Sequence, residues 1–236
     1  MKNLFKSWFA SAAKLTPEQS SRLAKWQHLQ ETDAVAEFEH ARYVVVDVET
    51  TGLDLNNDTL ISIGAVAVLN GKIALNDSFS IILQQSKISH RENILIHGIS
   101  GSAQQEGVIP VDALLAFLDY LGKSPLVAFH VSFDETMIRR AMRQYLKFTF
   151  KHAWLDLAYL LPALWPERLR SHRSLDDWGR QFSINNDDRH NAVADALQTA
   201  QLLQVAISKA KQDQKTSCYD DLRGLERRFR CALEYC

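Results

Sequence analysis

Five residues have the types and positions to do chemistry together: Asp47, Glu49, Asp134, His190 and Asp195. The first two lie in Tyr43-Val44-Val45-Val46-Asp47-Val48-Glu49, which runs into Thr50-Thr51-Gly52-Leu53. The β-branched run predicts a buried strand. Alternation puts Val44, Val46 and Val48 on one face and Val45, Asp47 and Glu49 on the other. Two carboxylates about 4 Å apart repel by roughly 4 kcal/mol at an effective dielectric of about 20. Buried acids therefore need a cation, a basic partner or a proton, and no Lys or Arg follows Arg42 within the run. Hard oxygen ligands at a strand end suit Mg²⁺ or Mn²⁺. Asp134 and Asp195 are the candidates to complete such a site, although either alone equally reads as an ordinary acid in a first helical turn. His190 precedes Asp195 by five positions, and histidine is the side chain best suited to take a proton from water near neutral pH.

The elements that must position these residues follow from pattern. Thr59 to Leu69 reads as a strand, Asn70-Gly71 as a hairpin turn, and Lys72 to Leu75 and Ser78 to Leu83 as returning strands. Gln84 to Val108 reads as loop, with a turn at His97-Gly98-Ile99. Pro110 opens a helix reaching Leu121, and Leu126 to Phe129 is a buried-type strand. Ser132-Phe133-Asp134-Glu135 reads as a capping box opening the helix that carries Asp134. Phe148 to Phe150 and Ala153 to Leu157 are further strand material, and Ser174 caps a helix holding Leu175, Trp178 and Phe182. Asn191 to Lys209 is the longest helical pattern, and Tyr219 to Tyr235 the last. Ahead of the first strand, Leu4 to Leu15 and the Thr16-Pro17-Glu18-Gln19 capping box predict two helices. Three segments result: a helical extension over 1–38, an α/β domain over 39–210 and a helical extension over 211–236.

The order Asp-x-Glu-Thr-Thr-Gly-Leu, then His130-Val131-Ser132-Phe133-Asp134, then His190-x4-Asp195 resembles the DEDDh subgroup of the DnaQ-like 3′→5′ exonucleases. It is most similar to the branch of the DNA polymerase III proofreading subunit. Ile61-Ser62-Ile63-Gly64-Ala65, the His97-Gly98-Ile99 turn and Ser174-Leu175-Asp176 extend the match over residues 41 to 208. The resemblance implies a ribonuclease H-like fold, with a mixed five-stranded sheet centred on the first strand. It implies that Asp47, Glu49, Asp134 and Asp195 bind two Mg²⁺ (or Mn²⁺) and that His190 is the general base. It also implies that Thr50, Thr51 and Leu53 hold the terminal nucleotide, with His97 and Phe133 lining its path. Many relatives carry Asn where this chain has Val131.

Composition narrows the remaining choices. With 46% hydrophobic and 23% charged residues the chain reads as a soluble globular protein, and a net charge of −1 confines any nucleic-acid surface to local patches. Arg139, Arg143 and Lys147 form one such set, and Arg168, Arg170, His172 and Arg173 another. Arg223, Arg227 and Arg230 read as a solvated or partner-facing surface. Cys218, Cys231 and Cys236 make neither a disulfide framework nor a zinc site, which fits a cytoplasmic protein. No apolar run spans a bilayer. The expected partner is a single-stranded DNA or RNA 3′ end, with a DNA polymerase or a second copy of the chain as further candidates. The alternatives are an RNA-trimming or oligoribonuclease-type enzyme, an endonuclease of ribonuclease H type, and a nucleic-acid-binding assembly module on the same fold.

Overall fold

The computed structural model describes residues 14–214 and 216–234. The helix expected over Leu4 to Leu15 lies almost wholly outside them. Five strands form one sheet: β1 (Arg42–Thr50), β2 (Leu60–Leu69), β3 (Lys72–Ile82), β4 (Leu126–Ala128) and β5 (Trp154–Asp156). The order is β3-β2-β1-β4-β5, with β1 central. β2 pairs antiparallel with β1 and β3, and the β1–β4 and β4–β5 pairs are parallel. The hairpin turn has Asn70 and Gly71 both at positive φ, as a tight two-residue connection requires. The two returning strand segments are one strand, β3, bent by a register shift opposite Val66 and Ala67.

Both sheet faces are covered, as the alternation along β1 demands. Val44, Val46 and Val48 pack against α1 (Pro17–Gln27), α4 (Pro110–Leu121) and α5 (Val131–Ala141), through Trp26, Leu118 and Ile138 among others. Tyr43 and Val45 pack against α6 (Leu157–Leu164), α8 (Ala192–Gln214) and α9 (Tyr219–Glu234), through Leu161, Leu203 and Leu222. Fully burying one such aliphatic side chain stabilises by roughly 1.5–3 kcal/mol, so the two layers hold the central strand firmly. Asp47 and Glu49 lie on the α8 side, at the C-terminal end of β1.

Three expectations are corrected here. The stretch from Gln84 to Val108 contains two short helices, α2 (Arg91–His97) and α3 (Gly101–Glu106). Gly98 in the left-handed conformation ends the first, and the Ser100 hydroxyl caps the second. Phe148 and Phe150 pack around Trp26 as core aromatics rather than forming a strand. Arg223 and Arg230 are not a solvated row. Arg223 donates to the Trp154 carbonyl, and Arg230 reaches Glu226 and Asp156, so both tie α9 to β5. Arg227 is exposed as expected.

Gly64 sets the approach of α8. It sits opposite Asp47 in the β1–β2 ladder, and a Cβ there would overlap the Ala192–Val193 peptide. The absent side chain lets the start of α8 rest directly on the sheet, one turn from Asp195. Gly64→Val is expected to lift that end of α8, costing about 1–3 kcal/mol by overpacking and at least about tenfold in the exonuclease turnover that the motif resemblance implies. Melting and turnover measured together check this; parental values for both would disprove the contact's importance.

Candidate active site

The four acids come from three elements. Asp47 and Glu49 project from the end of β1, Asp134 from the first turn of α5 and Asp195 from the first turn of α8. Asp47, Glu49 and Asp195 each offer an oxygen within 4.8 Å of the other two. Asp134 stands outside this trio but faces the same cleft, which encloses about 640 Å³ and is also lined by His190. Asp134 and Asp195 are almost fully buried.

Electrostatics show how strongly the cluster wants positive charge. Burial first, then Asp134, Asp195 and Glu49, push the Asp47 carboxyl well above the carboxylate range. Burial and Asp195 push Glu49 up to about 8, with Arg189 opposing. Burial likewise raises Asp134. A cation among them would offset that cost. The donor set is all carboxylate oxygen, which suits a hard divalent ion such as Mg²⁺ or Mn²⁺. The residues present therefore fit a divalent metal.

The turns that deliver Asp134 and Asp195 are built alike. His130 and His190 both adopt left-handed backbone angles, φ +66° and +64°, at a cost of roughly 1–2 kcal/mol each. A carboxylate offsets each. Asp156 accepts from the backbone N–H of His130 at 3.0 Å and of Val131 at 3.1 Å. Asp195 accepts from the N–H of His190 at 3.1 Å and from Asn186 Nδ2 at 2.6 Å. Hydrogen bonds to a charged group contribute about 1.5–3 kcal/mol, enough to hold the strained residue. This corrects the reading of the second motif: no side-chain cap comes from Ser132, because α5 begins at Val131 behind His130. The Val131 side chain is buried in the core, so that position supplies packing.

Thr50, Leu53, His97 and Phe133 all border the cleft. The Thr50 hydroxyl donates to the Gly52 carbonyl at 2.6 Å, fixing the turn. Leu53 is largely exposed, an apolar surface at the cleft mouth. His97 is buried, and its Nδ1 accepts from the Ile99 N–H at 3.0 Å, while burial lowers its pKa. Thr51 does not line the cleft. Its hydroxyl donates to Asp58 at 2.7 Å, and its carbonyl accepts from Asn93. Arg140 closes the far side of this loop through the Asn56 and Asp58 carbonyls, both at 2.8 Å.

Several cleft residues escaped the sequence reading. Asn93 and Ile96 lie in the stretch taken as loop, where no local pattern marks them. Arg173 also lines the cleft, and the sequence marks it only as part of a basic loop. Arg189 is the more informative omission. It pairs with Asp195 through Nη1 and with Asp176 through Nε, the latter at 2.6 Å. Its only sequence signal is its place beside His190.

A mixed sheet in this order, with acids from β1, α5 and α8 meeting at one end, defines a nuclease of ribonuclease H-like layout. The sequence profile of the RNase_T family, described as exonuclease, matches residues 44–203. The PolC-type DNA polymerase III of Clostridium perfringens is 31% identical over 176 residues, covering 72% of this chain and 12% of the polymerase. Among solved structures, Escherichia coli Exonuclease I in complex with a dT13 oligonucleotide superposes with a TM-score of 0.62 at 15% identity, covering 73% of this chain and 42% of that one. Exonuclease X in complex with 5′-overhanging duplex DNA gives 0.55 at 21%, covering 76% and 99%. The chain belongs to the RNase_T exonuclease family, the DnaQ-like group that its motifs resemble. It spans only about an eighth of the polymerase relative's length. No helix among the described residues is long and apolar enough to cross a membrane.

Proposed function

We propose that this protein removes nucleotides one at a time from the 3′ end of single-stranded DNA or RNA, by hydrolysis that depends on two divalent cations, Mg²⁺ or Mn²⁺. The observation that carries this reading is the convergence of Asp47, Glu49 and Asp195 within ligand distance, with Asp134 and His190 facing the same cleft. The proposed catalytic unit is 39–210, with α1 and α9 as braces on its two faces.

Each residue has a role in this reading. Asp47, Glu49, Asp134 and Asp195 hold the cations. Bound there, the cations supply the charge that activates the attacking water and stabilises the departing 3′ oxygen. His190 takes the proton from that water as its oxygen bonds the last phosphorus. The bond from that phosphorus to the 3′ oxygen of the preceding nucleotide breaks, releasing a nucleoside 5′-monophosphate. The Thr50–Leu53 turn seats the terminal nucleotide, with Leu53 and Phe133 offering apolar surface to any base and His97 behind them. The proposed surroundings are a soluble cytoplasmic setting and a DNA polymerase, because the PolC-type relative carries its matching segment within a polymerase.

A 5′-labelled single strand with Mg²⁺ or Mn²⁺ is expected to shorten one nucleotide at a time and to stop with EDTA. Parallel DNA and RNA strands read the sugar preference. Internal fragments, or equal cleavage of a 3′-blocked strand, would rule out the exonuclease.

A further inference from the structure

We propose that Arg189 is a resident cation of the acid cluster that a divalent metal displaces from Asp195, so that Arg189 sets the metal affinity of the site. The inference rests on the reading of Asp47, Glu49 and Asp195 as metal ligands.

Among the described residues, Arg189 makes the one ion pair to any of the four acids. It lines the same cleft as Asp47, Glu49 and Asp195, with its charge directed onto Asp195. It therefore supplies, without metal, part of the charge that a metal would bring. Asp195 leaves little room for both. Oδ2 accepts from the His190 N–H and from Arg189, and Oδ1 accepts from Asn186. A carboxylate oxygen has two acceptor sites, so Oδ2 is filled and Oδ1 keeps one, close to the Arg189 charge that opposes a second cation there. A cation at Oδ2 requires Arg189 to let go.

The surroundings give the guanidinium somewhere to go. Its Nε holds Asp176 at 2.6 Å, on α7 (Leu175–Gln181), away from the metal ligands. Arg189 also borders a second, polar pocket whose lining includes Asp176, Asn186, Asp187 and Arg180, the last already paired with Asp177. A swing of Nη1 away from Asp195 toward that pocket would keep the Asp176 ion pair and bring the guanidinium toward Asp187. Asp176 is thus a tether that makes release from Asp195 a short movement. The arrangement prevents repulsion from opening the metal-free site, and it makes metal binding compete with an internal charge.

Calorimetric titration of the full chain with Mn²⁺ gives the first readout. Arg189→Gln is expected to bind about tenfold tighter than the parent and to melt at a lower temperature in EDTA. Unchanged or weaker binding overturns the exchange. Absence of binding by both proteins overturns the metal-site reading, and the exchange with it. The second readout uses the parent alone and does not depend on how the variant folds. The Arg189 side-chain ¹⁵N–¹H resonances are expected to shift during titration with Mg²⁺, at the midpoint found by calorimetry. Resonances that stay fixed at saturating Mg²⁺ overturn displacement.

Discussion

Asp47→Asn is expected to lose at least about a thousandfold in turnover, yet to melt above the parent when metal is removed. The first effect follows from its place. Asp47 offers an oxygen within 4.8 Å of both Glu49 and Asp195, and it shares the cleft with Asp134. Removing a carboxylate that holds catalytic charge costs several kcal/mol of transition-state stabilisation, and each 1.36 kcal/mol is tenfold. The second effect follows from the same repulsion. Folding brings four acids together with one paired arginine, so the metal-free fold carries electrostatic strain that an amide of equal shape relieves. That strain depends on pH. Glu49 titrates near 4.5 when exposed and at about 8 in the fold. Between those values the folded state holds a proton that the unfolded state has released. Its contribution is therefore present below about 4.5 and lost as pH rises through about 8, at up to about 1.4 kcal/mol per unit. Asp47 shifts in the same direction and adds to the slope. In EDTA the parent's melting temperature should fall from pH 5 to pH 8. The advantage of Asp47→Asn should widen over that range to roughly 5 °C. Turnover within tenfold of the parent, or a melting curve below it at pH 8, would remove Asp47 from the centre of the site.

What was legible in the sequence was whatever a local pattern encodes. The alternation along β1 separates Val44, Val46 and Val48 from Val45, Asp47 and Glu49, and in the structure the first three join one core, Val45 the other, and the two acids the cleft. The three-strand meander, the α4 helix and the long α8 follow from turn chemistry and helical period. The features that escaped depend on partners far along the chain. Asp156, not Ser132, receives the backbone at the start of α5, and it lies about 25 residues from the bonds it makes. Asn93 reaches the Thr51 carbonyl across 42 residues, from a segment whose two short helices have no strong period. Arg223 and Arg230 look like a charged helix face until β5 and Asp156 are placed beneath them. Arg189 looks like any basic residue until Asp195 and Asp176 are brought to either side of it.

His190 offers the sharpest separation of chemistry from architecture, because its backbone and its side chain do different work. The backbone is left-handed, and its N–H holds Asp195. His190 borders the cleft. Asparagine tolerates left-handed angles better than most residues, so His190→Asn keeps the backbone geometry and the bond to Asp195 while removing the proposed base. The variant is expected to melt within about 2 °C of the parent and to bind Mn²⁺ within about threefold. Its turnover at neutral pH should fall by about a hundred- to ten-thousandfold, the range for loss of a positioned general base. The pH profile then identifies the cause. A general base must be unprotonated to accept a proton, so the parent's rate should fall toward acid pH. Without the ring the water must lose its proton unaided. The variant's logarithmic rate should therefore climb steadily toward alkaline pH and narrow the gap with the parent. A variant whose Mn²⁺ affinity falls in step with its rate would show that the residue acts by holding Asp195. One that keeps the parental profile would assign the proton to another group.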